Sequence, residues 1–87
     1  MKKSILVMLV GKRRETAAAV QRLLTDNGCM IKTRLGLHES GPEQCSDAGC
    51  IILELLGAPA ELKALAAKLN AVRGVNAKLV TMRLAGA

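Results

Sequence analysis

Three side chains that bind soft transition metals lie close together in the middle of the chain. They are His38, Cys45 and Cys50, and four residues separate the two cysteines. Thiolate and imidazole groups are donors that zinc and related metals prefer, but three ligands need a fourth from elsewhere in the chain or from another subunit. A transition-metal site at these residues is one functional hypothesis. The remaining cysteine, Cys29, is interpreted as a small core hydrophobe.

A second group of residues is suited to an anion. Gly11 is followed by Lys12, Arg13 and Arg14, and a helical pattern begins directly after them. Backbone N–H groups at the start of a helix, next to positive side chains, bind carboxylate or phosphate groups. The segment is therefore a candidate anion site, and the alternative is a solvated basic turn.

The sequence contains no arrangement that is typical of acid–base or nucleophilic catalysis. His38 is the only histidine, and Glu39 and Ser40 are its neighbours in the chain and not an oriented triad. Such catalysis needs a base that is held against its partner in a concave site. We therefore expect no enzymatic activity and no cofactor.

The composition of the chain restricts the kinds of partner that it can bind. Thirteen basic and seven acidic residues give a net charge of +6, which attracts anions, nucleic acid or acidic protein surfaces. RNA-recognition domains stack bases on aromatic side chains, and this chain has no Phe, Tyr or Trp. We do not expect nucleic acid as the partner, although Lys and Arg still permit sequence-independent phosphate contacts.

Nothing in the sequence predicts a membrane span or a signal peptide. The apolar run from Ile5 to Val10 ends at Gly11 and meets basic residues in place of a small-residue cleavage site. No stretch approaches the roughly 20 apolar residues that a spanning helix needs. A cytoplasmic location is the resulting expectation.

Changes in hydrophobic period divide the chain into six elements. Strands are predicted at 4–10, 29–37, 50–56 and 75–84, helices at 15–27 and from Pro59 to Arg73, and an exposed loop at 38–49. In the second strand Lys32 and Arg34 mark a face in solvent. In the fourth strand Leu79 and Val80 break the alternation, so that either a bulge lies there or both faces are partly buried.

The order strand, helix, strand, strand, helix, strand predicts one domain over residues 1–87 with a ferredoxin-like βαββαβ fold of the α+β class. Two right-handed βαβ units joined in this way give a four-stranded antiparallel sheet with both helices on one face. The other face has no cover of its own. We expect Met8, Met30, Ile52 and Met82 to face that side, where apolar groups mark an interface. A homo-oligomer, a dimer or tetramer formed through this face or through strand edges, follows.

Several segments resemble a known family. They are the short apolar first strand, Arg34-Leu35-Gly36-Leu37, the polar loop, Ile51-Ile52-Leu53-Glu54-Leu55, Leu65-Ala66-Ala67-Lys68-Leu69 and Val72-Arg73-Gly74-Val75. Over essentially its full length the chain resembles the ACT-like regulators of the iron-only hydrogenase system, which are similar to the ligand-binding domain of nickel-responsive repressors. The resemblance implies an oligomeric regulatory module without a DNA-binding segment.

The resemblance also implies a ligand site. ACT domains bind small ligands at an interface near the loop after the first strand, which corresponds by position to Gly11 and Lys12, with Arg34 contributed across the interface. The partner is then a small anionic ligand or another protein. A nickel site is not implied, because it needs several histidines and this chain has one.

Overall fold

Four strands and two helices follow one another in the predicted order. The computed structural model describes residues 1–11, 14–40 and 45–86. The elements are strand β1 (Lys2–Val10), helix α1 (Arg14–Asp26), strand β2 (Ile31–Ser40), strand β3 (Cys45–Leu55), helix α2 (Pro59–Asn70) and strand β4 (Val75–Arg83). A short 3-10 turn at Gly28–Met30 leads from α1 into β2.

The strands form one antiparallel sheet in the order β2-β3-β1-β4. The two strands in the middle of the sheet, β1 and β3, carry the uninterrupted apolar runs 5–10 and 50–53. Together with the two helices, this topology confirms the predicted ferredoxin-like α+β fold.

The core lies between the sheet and the two helices. Alternate residues of β1, namely Leu6, Met8 and Val10, are buried against the helices, whereas Val7 and Leu9 lie on the opposite face. The helices contribute apolar stripes at helical spacing. The buried residues of these stripes are Val20 and Leu24 in α1 and Leu62, Leu65 and Leu69 in α2. Each fully buried leucine contributes about 1.5–3 kcal/mol.

Two of the four residues expected on the uncovered face lie elsewhere. Met8 is fully buried in the core, and Met30 packs against the core from the turn before β2. The even-numbered positions of β1 face the helices, and this choice between two equivalent faces cannot be read from an uninterrupted apolar run. Ile52 and Met82 do lie on the side of the sheet away from the helices.

The loop predicted at 38–49 is much shorter than expected. Strand β2 continues to Ser40, strand β3 begins at Cys45, and these two residues are paired. The hairpin therefore extends beyond β1, whose last pair with β3 is Val10 with Gly49. Residues 38–40 and 45–49 therefore belong to strands, although their sequence is polar and carries no apolar period. Residues 41–44 lie outside the described part of the chain.

The register of strand β4 decides between the two explanations given for its broken alternation, a bulge or two partly buried faces. Its register with β1 is unbroken from Lys2–Arg83 to Val10–Val75, so no bulge lies at Leu79–Val80. Leu79 faces the helices and is partly buried, while Val80 lies on the other face and is 44% exposed.

Two smaller expectations were wrong. Cys29 is exposed in the 3-10 turn, because the strand begins two residues later than predicted. In β2, Lys32 and Arg34 do not mark a single face in solvent, because the register is irregular between Ile31 and Thr33. Arg34 donates to Gln21 of α1, whereas Leu35, on the side of the sheet away from the helices, is 50% exposed.

Neither described helix has the length and apolar content that crossing a bilayer requires.

Candidate functional site

The predicted anion turn begins at a residue whose backbone is already engaged. The N–H of Gly11 donates to the carbonyl oxygen of Gly74 at 2.8 Å. Beside it the buried hydroxyl of Thr16 donates to the carbonyl oxygen of Arg73 at 2.8 Å. These bonds attach the start of α1 to the turn between α2 and β4. Lys12 and Arg13 lie outside the described residues.

A hollow of about 260 Å³ lies against this junction and is lined by Glu15, Thr16, Val72 and Arg73. Its charged groups have opposite signs, because Glu15 contributes a carboxylate and Arg73 a guanidinium. The Thr16 hydroxyl has already given its proton to a backbone carbonyl. Within the described residues, Arg73 is therefore the group of this hollow that attracts an anion.

Arg34 is not close to Gly11 in the same chain. Arg34 is the cross-strand partner of Leu53 in β3, and Leu53 is in turn the partner of Leu6 in β1, in the middle of the sheet. The side chain of Arg34 donates to Gln21 of α1. Gly11 is five positions beyond Leu6 in the chain, which corresponds to about 17 Å along the sheet. If both residues contact one ligand, Arg34 must come from a neighbouring subunit, as the ACT resemblance implies.

The predicted metal ligands lie along the projecting hairpin. Cys45 and Cys50 belong to the same strand, where five residues span up to about 17 Å. His38 occupies the pairing position next to that of Cys50, opposite Gly49. The side chains of His38 and Cys45 lie outside the described part of the structure. Among the described residues no three His, Cys, Asp or Glu side chains are grouped closely enough to hold a metal ion.

The most extensive feature is the side of the sheet that no helix covers. We call this surface the open face. It contains apolar side chains from all four strands, namely Ile5, Val7, Leu9, Leu35, Ile52, Val80 and Met82.

These apolar side chains are contiguous. Val7 and Leu35 flank Ile52 as its direct cross-strand partners, and Ile5 is opposite Val80. Residues paired in this way have their Cβ atoms about 4.5–5.5 Å apart. Leu9 is 59% exposed, and with Val7 it lines a groove of about 290 Å³ whose other lining residues are Asn76 and Lys78. The open face is therefore a continuous apolar surface and not a scatter of single residues.

Charged groups lie on the open face at Lys78 of β4, opposite Val7, and at one end of it. Lys3 donates to Glu54 at 2.6 Å, and Lys32 approaches the same carboxylate oxygen at 3.7 Å. The hydrogen bond from Lys3, supported by the charges of both lysines, holds the pKa of Glu54 below its ordinary value of 4.5. The same bond raises the pKa of Lys3. Both groups are therefore charged at neutral pH, and they mark the polar limit of the surface.

The two edges of the sheet differ. Asn70, the last residue of α2, donates to the carbonyl oxygen of Ala77 and accepts from its N–H, both at 2.8 Å. Because both backbone groups of Ala77 bind this side chain, they point away from β1 and towards the outer edge of the sheet. Asn70 therefore covers the middle of the β4 edge. We find no comparable side-chain cover on the described part of β2.

Sequence reasoning missed both the extent of the open face and the role of Asn70. β1 is an uninterrupted apolar run and β4 alternates imperfectly, so assigning their residues to a face requires the register. Asn70 followed by Arg73-Gly74 has the appearance of an ordinary helix end, and its contact with Ala77 depends on how the following turn folds back.

The fold and its open face define a ferredoxin-like α+β protein with an uncovered sheet surface. Its backbone is similar to that of the uncharacterized protein TM1266 from Thermotoga maritima, with a TM-score of 0.81 and 27% sequence identity, over 95% of this chain and 100% of that chain. No protein-family model matches the chain. A search of curated proteins also finds no match.

Proposed function

We propose that this chain is a non-catalytic, homo-oligomeric ACT-like module that regulates or senses through a small anionic ligand or a protein partner. By its resemblance to the ACT-like regulators, the system it serves is the iron-only hydrogenase system. The observation that carries the proposal is the open face, because an apolar surface of this continuity marks an interface.

A second copy of the chain is the occupant that we propose for the open face. The core is entirely aliphatic, and a chain of this size buries only about 60–65% of the surface that its unfolded form exposes. Covering Leu9, Leu35 and Met82, which are each at least half exposed, would add to that burial. A two-fold axis through the surface would place the same apolar residues against each other.

The state of the β4 edge favours the open face, and not that edge, as the contact between subunits. Another strand would have to displace Asn70 from Ala77 before it could pair along the middle of β4. The β2 edge remains accessible, although its exposed Lys32 and Arg34 are side chains that discourage edge pairing.

The ligand part of the proposal concerns Gly11, Lys12 and Arg13, with Arg34 supplied by a neighbouring subunit. What supports it is the basic character of the turn and the separation of Arg34 from Gly11 within one chain. Since the N–H of Gly11 is bonded to Gly74, the binding groups are the side chains and the N–H groups that follow it.

Native mass spectrometry and sedimentation equilibrium, at tens of micromolar protein purified without a chelator, test the assembly. We expect a dimer or tetramer for the wild type and a monomer for Val80→Lys, which adds a charge to the open face. Ala67→Lys is the matched control, because it adds the same charge on the exposed surface of α2. It should leave the assembly unchanged.

A wild-type monomer, or an equal loss of assembly in both variants, would contradict the proposal. A stoichiometric mass increment of one metal ion would instead favour the alternative function at His38, Cys45 and Cys50. In that case Cys45→Ser with Cys50→Ser should remove the increment.

A further inference from the structure

A small cavity lies at the end of the sheet opposite to Gly11. It has a volume of about 220 Å³ and is bounded by the start of β1, the end of β4 and the first turns of α2. Two successive cross-strand pairs face it from the sheet, Ser4 with Thr81 and Lys2 with Arg83. Pro59, Leu62 and Lys63 line it from the helix, and Leu79 of β4 completes the lining.

Three positive side chains surround this cavity. Lys2 and Arg83 are directly opposite each other on neighbouring strands, and Lys63 approaches from α2. Like charges in that cross-strand position repel each other and destabilise a sheet. Among the described residues none of the three has an ion-pair partner, because the ion pairs of the described chain involve Lys3, Lys32 and Glu54.

Among the described residues no carboxylate lines the cavity to offset these charges. The acidic residues nearest along the sequence are Glu54, which is bonded to Lys3 on the open face, and Glu61. Glu61 lines a different hollow, next to Asn27 and Lys68. The wall of the cavity is mainly apolar, and the described residues do not balance the charges of Lys2, Lys63 and Arg83, which are all exposed.

Two hydroxyl groups add hydrogen-bonding capacity. The Oγ of Ser4 lies 3.2 Å from the Oγ1 of Thr81, and Ser4 is only 7% exposed. A bonded pair of hydroxyls has two protons, and the bond between them uses one. The other proton is available to an acceptor in the cavity, beside the three cations.

We propose that this cavity binds a small, multiply charged oxyanion, with the phosphate group of a small phosphorylated compound as the class of ligand. Arg83 can hold two phosphate oxygens at once through its planar guanidinium, while Lys2 and Lys63 contribute point charges. The volume accommodates one or two phosphate groups. The site lies about 30 Å along β1 from Gly11 and is independent of the assembly and the ligand turn proposed above.

Isothermal titration calorimetry with pyrophosphate as the probe tests the site on the full chain. We expect saturable binding with one site per chain. Lys63→Gln and Arg83→Gln should each weaken binding by about tenfold or more, because each removes a charge-assisted hydrogen bond.

Each variant has a control with the same change in charge. Lys68→Gln alters the same helix near its other end, and Lys78→Gln alters the same strand on the open face. Both controls should keep the wild-type affinity. Circular dichroism on all four variants establishes that they are folded. Ser4→Ala is a further variant, which removes a hydroxyl group of the cavity and leaves its charge unchanged.

Three results would overturn the proposal: no saturable binding of pyrophosphate, an equal loss of affinity in the control variants, or a Lys63→Gln affinity that matches the wild type. A short DNA duplex that binds all four variants equally would show general electrostatic attraction in place of a site. Sedimentation of Lys63→Gln should give the wild-type assembly, so failure of this site and failure of the oligomer are separate outcomes.

Discussion

Gly74 offers a sharp test of the junction beside Gly11, because two alanine substitutions should have effects of opposite sign. Gly74 has φ of +91°, and an added Cβ would lie 3.1 Å from the Thr16 hydroxyl oxygen. Gly36 has no atom within 4 Å of an added Cβ and does not have positive φ. Thr16 is buried and bonded to Arg73, so it has little room to move.

Gly74→Ala should lower the free energy of unfolding by about 1–3 kcal/mol, the cost of holding a side chain in a sparsely populated backbone conformation. Gly36→Ala should raise the free energy of unfolding by about 0.5–1 kcal/mol, since alanine has less backbone freedom to lose than glycine in a strand. Each kcal/mol changes Tm by roughly 4–8 °C in a domain of this size. Gly74→Asn should cost less than Gly74→Ala, because Asn tolerates positive φ better.

Urea denaturation followed by circular dichroism measures these differences, since the chain has no aromatic residue for fluorescence. The protein concentration must be equal for all variants, because assembly contributes to apparent stability. If Gly74→Ala were no less stable than Gly36→Ala, the positive φ at Gly74 and the close contact with Thr16 would be refuted.

Two further predictions use the same assay. Asn70→Ala should lower the free energy of unfolding by about 1–3 kcal/mol, because it removes both hydrogen bonds to Ala77. Asn76→Ala, an exposed position on β4, should have almost no effect, and equal losses would contradict the role of Asn70. The second prediction concerns pH. Because the pKa of Glu54 is below 4.5 in the folded chain, its stabilisation is present above pH 4.5 and is lost as the pH falls through the folded-state pKa. Glu54→Gln should lose less stability than the wild type over that pH range, and an equally steep loss would contradict the contribution of its bond to Lys3.

The order of elements could be predicted because each change of hydrophobic period reflects how an element is buried. The helix stripe at Leu62, Leu65 and Leu69 is an example, since residues three and four apart must share the side that packs on the sheet. It was harder to predict which face of the sheet each strand residue lies on. Met8 belongs to a run that is apolar at every position, so only the register shows that it faces the helices.

The features missed by sequence reasoning depend on pairing and not on burial. Ser40 and Cys45 are cross-strand partners in a polar hairpin, which leaves no hydrophobic period to read. Lys2 and Arg83 are cross-strand partners although they are 81 positions apart in the chain, so their proximity follows only from the register of β1 with β4. Of the ligand turn, the structure describes Gly11 but not Lys12 or Arg13, so the proposed anion site there stays a prediction.

The side chain of Asn70 also determines how far a sheet made from this chain can grow. A sheet with two free edges can pair β2 of one copy with β4 of the next without end, which gives open-ended filaments. With Asn70 occupying the middle of β4, only β2 remains free along its length among the described strands. Two copies that meet through β2 leave no second free edge. Any pairing through the β2 edges would therefore end at two chains.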